Sequence, residues 1–122
     1  MTQTNKPLQS FKYAFNGIIT LFRETPNTII HILVGVVVII LGFALNISSG
    51  EWTTIIIVIG FVFAMELLNT ALEELSNYAC KRESHPLIKK TKDLAAAAVL
   101  IAAITSLIVG IIIFAPKIIN LL

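Results

Sequence analysis

The chain has 122 residues, of which 57% are hydrophobic and only 13% are charged, and its mean hydropathy is +0.90. A soluble domain of this length cannot bury so large an apolar fraction, so the composition excludes an ordinary water-soluble fold and predicts a single membrane domain over residues 1–122. The formal net charge of +2 is too small to indicate a nucleic-acid-binding protein.

Residues 7–23 are predicted to form an amphipathic helix. Apolar side chains recur there with helical spacing, at Leu8, Phe11, Phe15, Ile18, Ile19 and Phe22. Most of the polar side chains fall on the other side of the helix. We expect this helix to lie in the membrane interface with its Phe rings toward the lipid, and the alternative is a helix of a soluble core.

Three apolar segments follow, each close to the roughly 20 residues that cross about 30 Å of hydrocarbon. The predicted membrane spans are residues 28–46, 53–73 and 94–114. Turn-forming residues from Asn46 to Gly50 separate the first two spans. A charged loop is predicted over 74–93, and Pro116 and Lys117 are expected to end the third span. The fold class is therefore an all-α integral membrane protein.

The basic residues indicate the orientation of these spans. Three Lys or Arg residues precede the first span, none lies in the first hairpin, five lie in the second connection and one follows the third span. Because basic residues favour the cytoplasmic side, we expect the N-terminus and the 74–93 loop in the cytoplasm, and the C-terminus outside.

Four polar residues of the second span form what we call the polar stripe: Glu66, Asn69, Glu73 and Asn77. At about 100° per residue they fall within roughly 80° of one helix face. An ionised group near the centre of a span costs about 2.5–3.5 kcal/mol, so Glu66 predicts a functional site. The alternatives are a protonated Glu66 that bridges helices, and solvated side chains for the last two members of the stripe.

Further polar groups are expected at the same membrane level, namely Glu24, Lys92 and Asp93. Clustered carboxylates suit Mg²⁺ that carries water and phosphate, and a carboxylate at the lipid boundary suits proton abstraction from a lipid hydroxyl. Lys92 as an interfacial anchor and Asp93 as a helix N-cap are the structural alternatives. His31 is interpreted as interfacial, with metal ligation a minor option.

Established nucleotide-binding and hydrolase signatures are missing from the sequence, including the G-x-x-x-x-G-K-[ST] loop and G-x-S-x-G. Three membrane helices also cannot enclose both a nucleotide and the polar stripe. The sequence therefore predicts a site between subunits of a closed homo-oligomer.

Several motifs resemble those of the prokaryotic diacylglycerol kinase family, the small bacterial integral-membrane lipid kinases that include the undecaprenol kinases. The strongest are E-L-L-N-T-A-L-E at residues 66–73 and K-D-L-A-A at residues 92–96. Residues 11–18, F-K-Y-A-F-N-G-I, and residues 85–87, H-P-L, also match. The resemblance covers most of the chain.

The resemblance implies a homotrimer in the bacterial cytoplasmic (inner) membrane, with a surface helix and three transmembrane helices per subunit. In such an enzyme Mg-ATP phosphorylates a lipid hydroxyl at the cytoplasmic face. By the same resemblance, Glu66 is the catalytic base and Asn69 is its neighbour, while Glu73 and Glu24 hold Mg²⁺. The residues implied to bind or border the nucleotide are Tyr13, Asn16, Gly17, Glu73, Asn77, Lys92 and Asp93.

The chain also departs from the family pattern. Asn77 replaces an Asp, an exchange that is expected to reduce activity. Glu24 lies three residues before Asn27 where relatives have two, and Ile29 occupies an Arg position, although His31 keeps its spacing. Ala97 replaces a frequent Gly.

The predicted reaction is phosphorylation of diacylglycerol to phosphatidic acid, with undecaprenol as the alternative acceptor. A non-catalytic oligomer or an ion pathway is the alternative of another class. A pore needs polar groups through the whole membrane, yet residues 34–44, 55–65 and 101–114 offer only Thr105 and Ser106. The polar groups lie on one side, as expected for an enzyme at a membrane surface.

Overall fold

The computed structural model describes residues 6–81 and 83–122, whose regular structure is entirely helical. The four helices are α1 (Lys6–Glu24), α2 (Asn27–Ala44), α3 (Ser49–Cys80) and α4 (Pro86–Leu121). The last three are long and apolar enough to cross a membrane. This confirms the all-helical class and three candidate spans, whereas the trimer and the interfacial position of α1 stay predictions.

The α1–α2 junction is a short break at Thr25 and Pro26. Proline has no backbone N–H, so the helical hydrogen bond to the carbonyl of Phe22 cannot form and α1 ends. The Leu21 carbonyl accepts the backbone N–H of Thr25 at 3.0 Å and the hydroxyl of fully buried Thr28 at 3.5 Å. These bonds attach the end of α1 to the start of α2, and Leu21 itself is buried.

The turn between α2 and α3 is fixed by a capping box. The Ser48 backbone N–H donates to the Glu51 carboxylate at 2.9 Å, and the Glu51 N–H donates to the Ser48 hydroxyl at 3.2 Å. Trp52 then packs over Gly42 of α2, where an added Cβ would lie only 2.6 Å from the indole. The turn is therefore tight, and α2 and α3 run antiparallel from it.

Helices α3 and α4 form the second and more extensive hairpin. At its open end Lys117 pairs with Glu51 at 3.2 Å, and near its turn Lys92 donates to Asn77 at 2.7 Å. Between these two contacts Ala102 is fully buried. Small side chains at such positions let two helix backbones approach closely.

The charged segment predicted as a loop over 74–93 is instead mostly helical. Helix α3 continues to Cys80 and is capped by left-handed Lys81 (φ 52°), and His85 caps α4 ahead of Pro86. Most of the polar side chains described in this segment are exposed to solvent, and Lys92 contacts Asn77. A run of charged residues is compatible both with a loop and with the polar ends of two helices, so the sequence pattern did not separate these two cases.

Pro116 also does not end α4, which continues to Leu121. A proline removes one backbone donor, and long membrane helices tolerate this because neighbouring groups satisfy the freed carbonyl.

Most aliphatic side chains of α2, α3 and α4 point away from the chain, as for Ile57 and Ile112, which are 65% and 66% exposed. Lipid or other protein must cover them, because their exposure to water would be unfavourable. Helix α2 makes few contacts with α3, and a groove of about 560 Å³ separates it from the α3–α4 hairpin.

Candidate functional site

The buried carboxylate of Glu66 pairs with a histidine of the neighbouring helix. His31 lies as far before the α2–α3 turn at Ser48 and Ser49 as Glu66 lies after it, so the antiparallel hairpin brings them to the same depth. Nε2 of His31 lies 2.7 Å from Oε1 of Glu66, and Glu66 is only 4% exposed. The structure thus places a buried carboxylate, with His31 as its hydrogen-bond partner, within an apolar segment of α3.

Asn69 lies one helical turn beyond Glu66, toward the α3–α4 turn. Its side-chain oxygen Oδ1 is buried and has no hydrogen-bond partner. A buried acceptor without a donor is unfavourable by about 1–3 kcal/mol, so such groups commonly mark the place of a water or ligand. Two oxygen acceptors, those of Glu66 and Asn69, are therefore available on adjacent turns for a group that carries a donor.

A second polar group lies at the α3–α4 turn. The Lys92 ammonium donates to Oδ1 of Asn77 at 2.7 Å, and Lys89 pairs with Asp93 at 2.6 Å. These side chains border a cavity of about 470 Å³ that also involves His85. The structure thus brings together three of the predicted site residues, Asn77, Lys92 and Asp93, around an open polar cavity.

Glu73 lies on α3 between these two groups. It is about 10 Å from Glu66 and about 6 Å from Asn77 along the helix axis, at 1.5 Å per residue, and it is solvent-exposed. Glu24 is also exposed, at the last position of α1. Within residues 6–81 and 83–122, the structure gathers no group of three or more His, Cys, Asp or Glu side chains that could hold a metal.

The three predicted site residues of α1 lie on its exposed surface: Tyr13, Asn16 and Gly17. Near the end of α1, Phe22 packs edge-on against Phe63 of α3 at 6.4 Å between ring centroids. The role of the α1 residues as nucleotide neighbours stays a prediction.

The groove between α2 and the α3–α4 hairpin extends from His31 at one end to Ile118 at the other. Its lining is almost wholly aliphatic and aromatic. The two polar lining residues are already engaged, because His31 contacts Glu66 and the Ser106 hydroxyl donates to the carbonyl of Ala102 at 2.8 Å. A hydrocarbon chain suits such a groove, and His31, which lines one end of it, is the partner of Glu66.

The contact of His31 with Glu66 is the feature that the sequence interpretation missed, since His31 was assigned to the interface. Two signals point to it. His31 keeps the spacing seen in the resembling family, and it lies as many residues before the α2–α3 turn as Glu66 lies after it.

Comparison with known proteins gives a consistent picture. Residues 12–114 match the model of the family described as prokaryotic diacylglycerol kinase. The chain is 39% identical over 115 residues to an undecaprenol kinase of Bacillus subtilis, a match that covers 94% of this chain and 93% of the relative. It is 36% identical to a diacylglycerol kinase of Synechocystis, over 94% of this chain and 66% of the relative. A Pseudomonas aeruginosa diacylglycerol kinase is 33% identical, over 83% and 81% of the two chains.

Proposed function

The chain belongs to the prokaryotic diacylglycerol kinase family, and we propose that it is a lipid kinase that transfers the γ-phosphate of Mg-ATP to the hydroxyl of a membrane lipid. The observation that carries the proposal is the buried Glu66, paired with His31 at one end of an apolar groove, with the unpartnered oxygen of Asn69 one turn away. A carboxylate in this position is suited to accept the proton of a lipid hydroxyl.

The proposed transfer needs a base, a phosphate site and a lipid in one place. Glu66 takes the hydroxyl proton as the lipid oxygen attacks the γ-phosphorus, and the bond from that phosphorus to the bridging oxygen of ADP breaks. Asn69, one turn away, offers its buried Oδ1 to a water or to another donor of the bound substrates, because the single hydroxyl proton goes to Glu66. Lys92, held by Asn77, presents an ammonium group toward the nucleotide phosphates, beside Asp93.

Carboxylate oxygens are the kind of ligand that Mg²⁺ takes, and two of the predicted ligands are available. Glu73 and Glu24 are exposed carboxylates, and a hard cation that keeps several waters and phosphate oxygens needs only one or two such ligands. Bound there, Mg²⁺ would neutralise charge on the phosphates.

The lipid acceptor belongs to one of two classes. Diacylglycerol is the acceptor first predicted, and two of the three relatives are named for it. The structure favours undecaprenol, because the groove has no free donor among its described lining residues for the ester carbonyls of a diacylglycerol. The Bacillus subtilis relative, matched over 93% of its length, is named for that alcohol. We therefore propose undecaprenol as the first acceptor and diacylglycerol as the second.

We further propose that the enzyme is a homotrimer of the bacterial cytoplasmic membrane, with its polar site on the cytoplasmic side. The distribution of Lys and Arg supports this orientation, because five of the nine lie between Lys81 and Lys92. The apolar surfaces left exposed by one chain support assembly with further subunits.

The direct test is transfer of labelled γ-phosphate in mixed detergent–lipid micelles, with undecaprenol and diacylglycerol offered separately. We expect transfer to undecaprenol that requires both ATP and Mg²⁺. Transfer to diacylglycerol alone would reverse the order of the two acceptors. No transfer to either lipid, from a protein shown to be helical and monodisperse, would contradict the kinase proposal and favour a non-catalytic membrane protein.

A further inference from the structure

His31 is a polar residue of α2 that the proposed transfer does not yet use. Its Nε2 atom lies 2.7 Å from one carboxylate oxygen of Glu66, and the two side chains are 22% and 6% exposed. We propose that His31 is a positioning residue for Glu66, which holds the Oε1 atom so that Oε2 is directed to the lipid hydroxyl. The inference rests on the proposed function, in which Glu66 is the base.

The direction of this hydrogen bond follows from the chemistry of the base. An ionised carboxylate can only accept hydrogen bonds, so the hydrogen must be on Nε2 of His31. A carboxylate removed from water needs such a donor in place of its hydration shell. The separation of 2.7 Å is within the range of hydrogen bonds to charged groups.

The orientation of the His31 ring is fixed by aromatic contacts. The ring stands edge-on to Phe63 at 6.2 Å between centroids, and Phe63 in turn stands edge-on to Phe22 at 6.4 Å. These three rings come from α2, α3 and α1 respectively. The imidazole of α2 is therefore in contact with α3 through both Phe63 and Glu66, and a ring so constrained can hold the Glu66 carboxylate in one rotamer.

In the proposed transfer, His31 neither gains nor loses a proton. The proton of the lipid hydroxyl moves to Glu66, the lipid oxygen bonds to the γ-phosphorus, and the bridging oxygen leaves with ADP. His31 donates the same hydrogen bond before and after this step. Its removal should therefore slow the chemical step and leave the binding of lipid and nucleotide intact.

A matched pair of variants, His31→Gln and His31→Asn, tests this role. Both place a neutral amide at the same membrane depth, but only the longer Gln side chain reaches Glu66 with an N–H donor. Loss of an outer hydrogen-bond partner commonly lowers activity about 10- to 100-fold, and we expect that loss in kcat for His31→Asn with unchanged KM for Mg-ATP and lipid. His31→Gln should retain most of the original kcat.

If the His31→Asn variant does not fold, two further variants test the same role. His31→Phe keeps an aromatic ring against Phe63 but removes the N–H donor. It should show the same selective loss of kcat. In the Glu66→Gln background, His31→Phe should cause no further loss, because His31 acts only through Glu66.

Several results would overturn the inference. Normal kcat in a folded His31→Asn or His31→Phe protein would do so while leaving the kinase proposal intact. A loss in His31→Gln as large as in His31→Asn would exclude the donor role. Absence of lipid phosphorylation by the unmodified protein would remove the proposed function and this inference together.

Discussion

Polar side chains in the inner part of this molecule are few, and most of those that are buried have an identifiable partner. Glu66 has His31, Thr28 has the Leu21 carbonyl, and Lys92 has Asn77. Asn69 is the exception at the site, since its Oδ1 atom is buried without one. The residue that lacks a partner thus lies directly beside the proposed base, where the lipid hydroxyl is expected.

Lys92 is expected to act on the nucleotide, and Lys92→Gln tests this at the residue scale. A hydrogen bond to a charged group contributes about 1.5–3 kcal/mol, so losing the ammonium should raise KM for Mg-ATP at least about tenfold. The KM for lipid should not change. Steady-state kinetics with varied Mg-ATP measure this difference.

Lys90→Gln is the matched control, because Lys90 lies two residues away on the same helix and is exposed outside the cavity. It removes the same charge and should leave KM for Mg-ATP unchanged. An equal rise in both variants would show that net charge, and not a contact made by Lys92, attracts the nucleotide.

At the scale of helices, length explains much of the arrangement. Helix α3 has 32 residues and is therefore about 48 Å long, whereas about 30 Å of hydrocarbon must be crossed. Glu73 and Asn77 lie about 10 Å and about 16 Å beyond Glu66 along the axis of this long helix, toward the α3–α4 turn. One helix thus places the buried Glu66 and the exposed Glu73 on the same face, the polar stripe, as the proposed base and phosphate site require.

The apolar cores of these helices were predictable because each consists of an uninterrupted hydrophobic run. Their ends were not, because polar residues after Glu73 continue the helix on the surface, and Pro116 is accommodated within α4. The site was predictable in part. The polar stripe follows from helical spacing alone, whereas the contact of His31 with Glu66 requires the register of the α2–α3 hairpin, which the capping box at Ser48 sets.

The α2–α3 packing makes its own prediction. In Gly42→Ala the new methyl group would meet Trp52 at 2.6 Å, a close contact expected to cost about 1–3 kcal/mol, offset by up to about 1 kcal/mol of helix propensity. We expect a net loss of about 1–2 kcal/mol in the free energy of unfolding. Unfolding by titration with a denaturing detergent measures it.

Gly35→Ala provides the control for this comparison. Gly35 lies on the same helix two turns away, and nothing is within 4 Å of the position that its Cβ would occupy. This variant should be neutral or slightly more stable. If Gly42→Ala were equally well tolerated, Trp52 would not fix the hairpin through close contact.

At the scale of the whole molecule, one chain contains the parts of a site without enclosing it. His31, the partner of Glu66, lies at one end of an open groove, while Glu73 and Glu24 remain exposed. The long aliphatic surfaces of α2 and α4 are uncovered as well. These features fit a protein whose solvent is the lipid bilayer and whose site is completed by its substrates and, as we propose, by further subunits.

The central claim is that Glu66 is the base for phosphoryl transfer to a lipid hydroxyl. The most direct measurement compares kcat for Glu66→Gln and Glu74→Gln in the micellar assay. Gln keeps the acceptor for His31 and so preserves the fold, but it cannot take a proton, and general-base catalysis contributes about 10²- to 10⁴-fold. Glu74 is exposed on the same helix, so its variant removes a charge away from the lipid boundary. We predict a loss of this size for Glu66→Gln and near-normal turnover for Glu74→Gln; near-normal turnover in a folded Glu66→Gln protein would contradict the account.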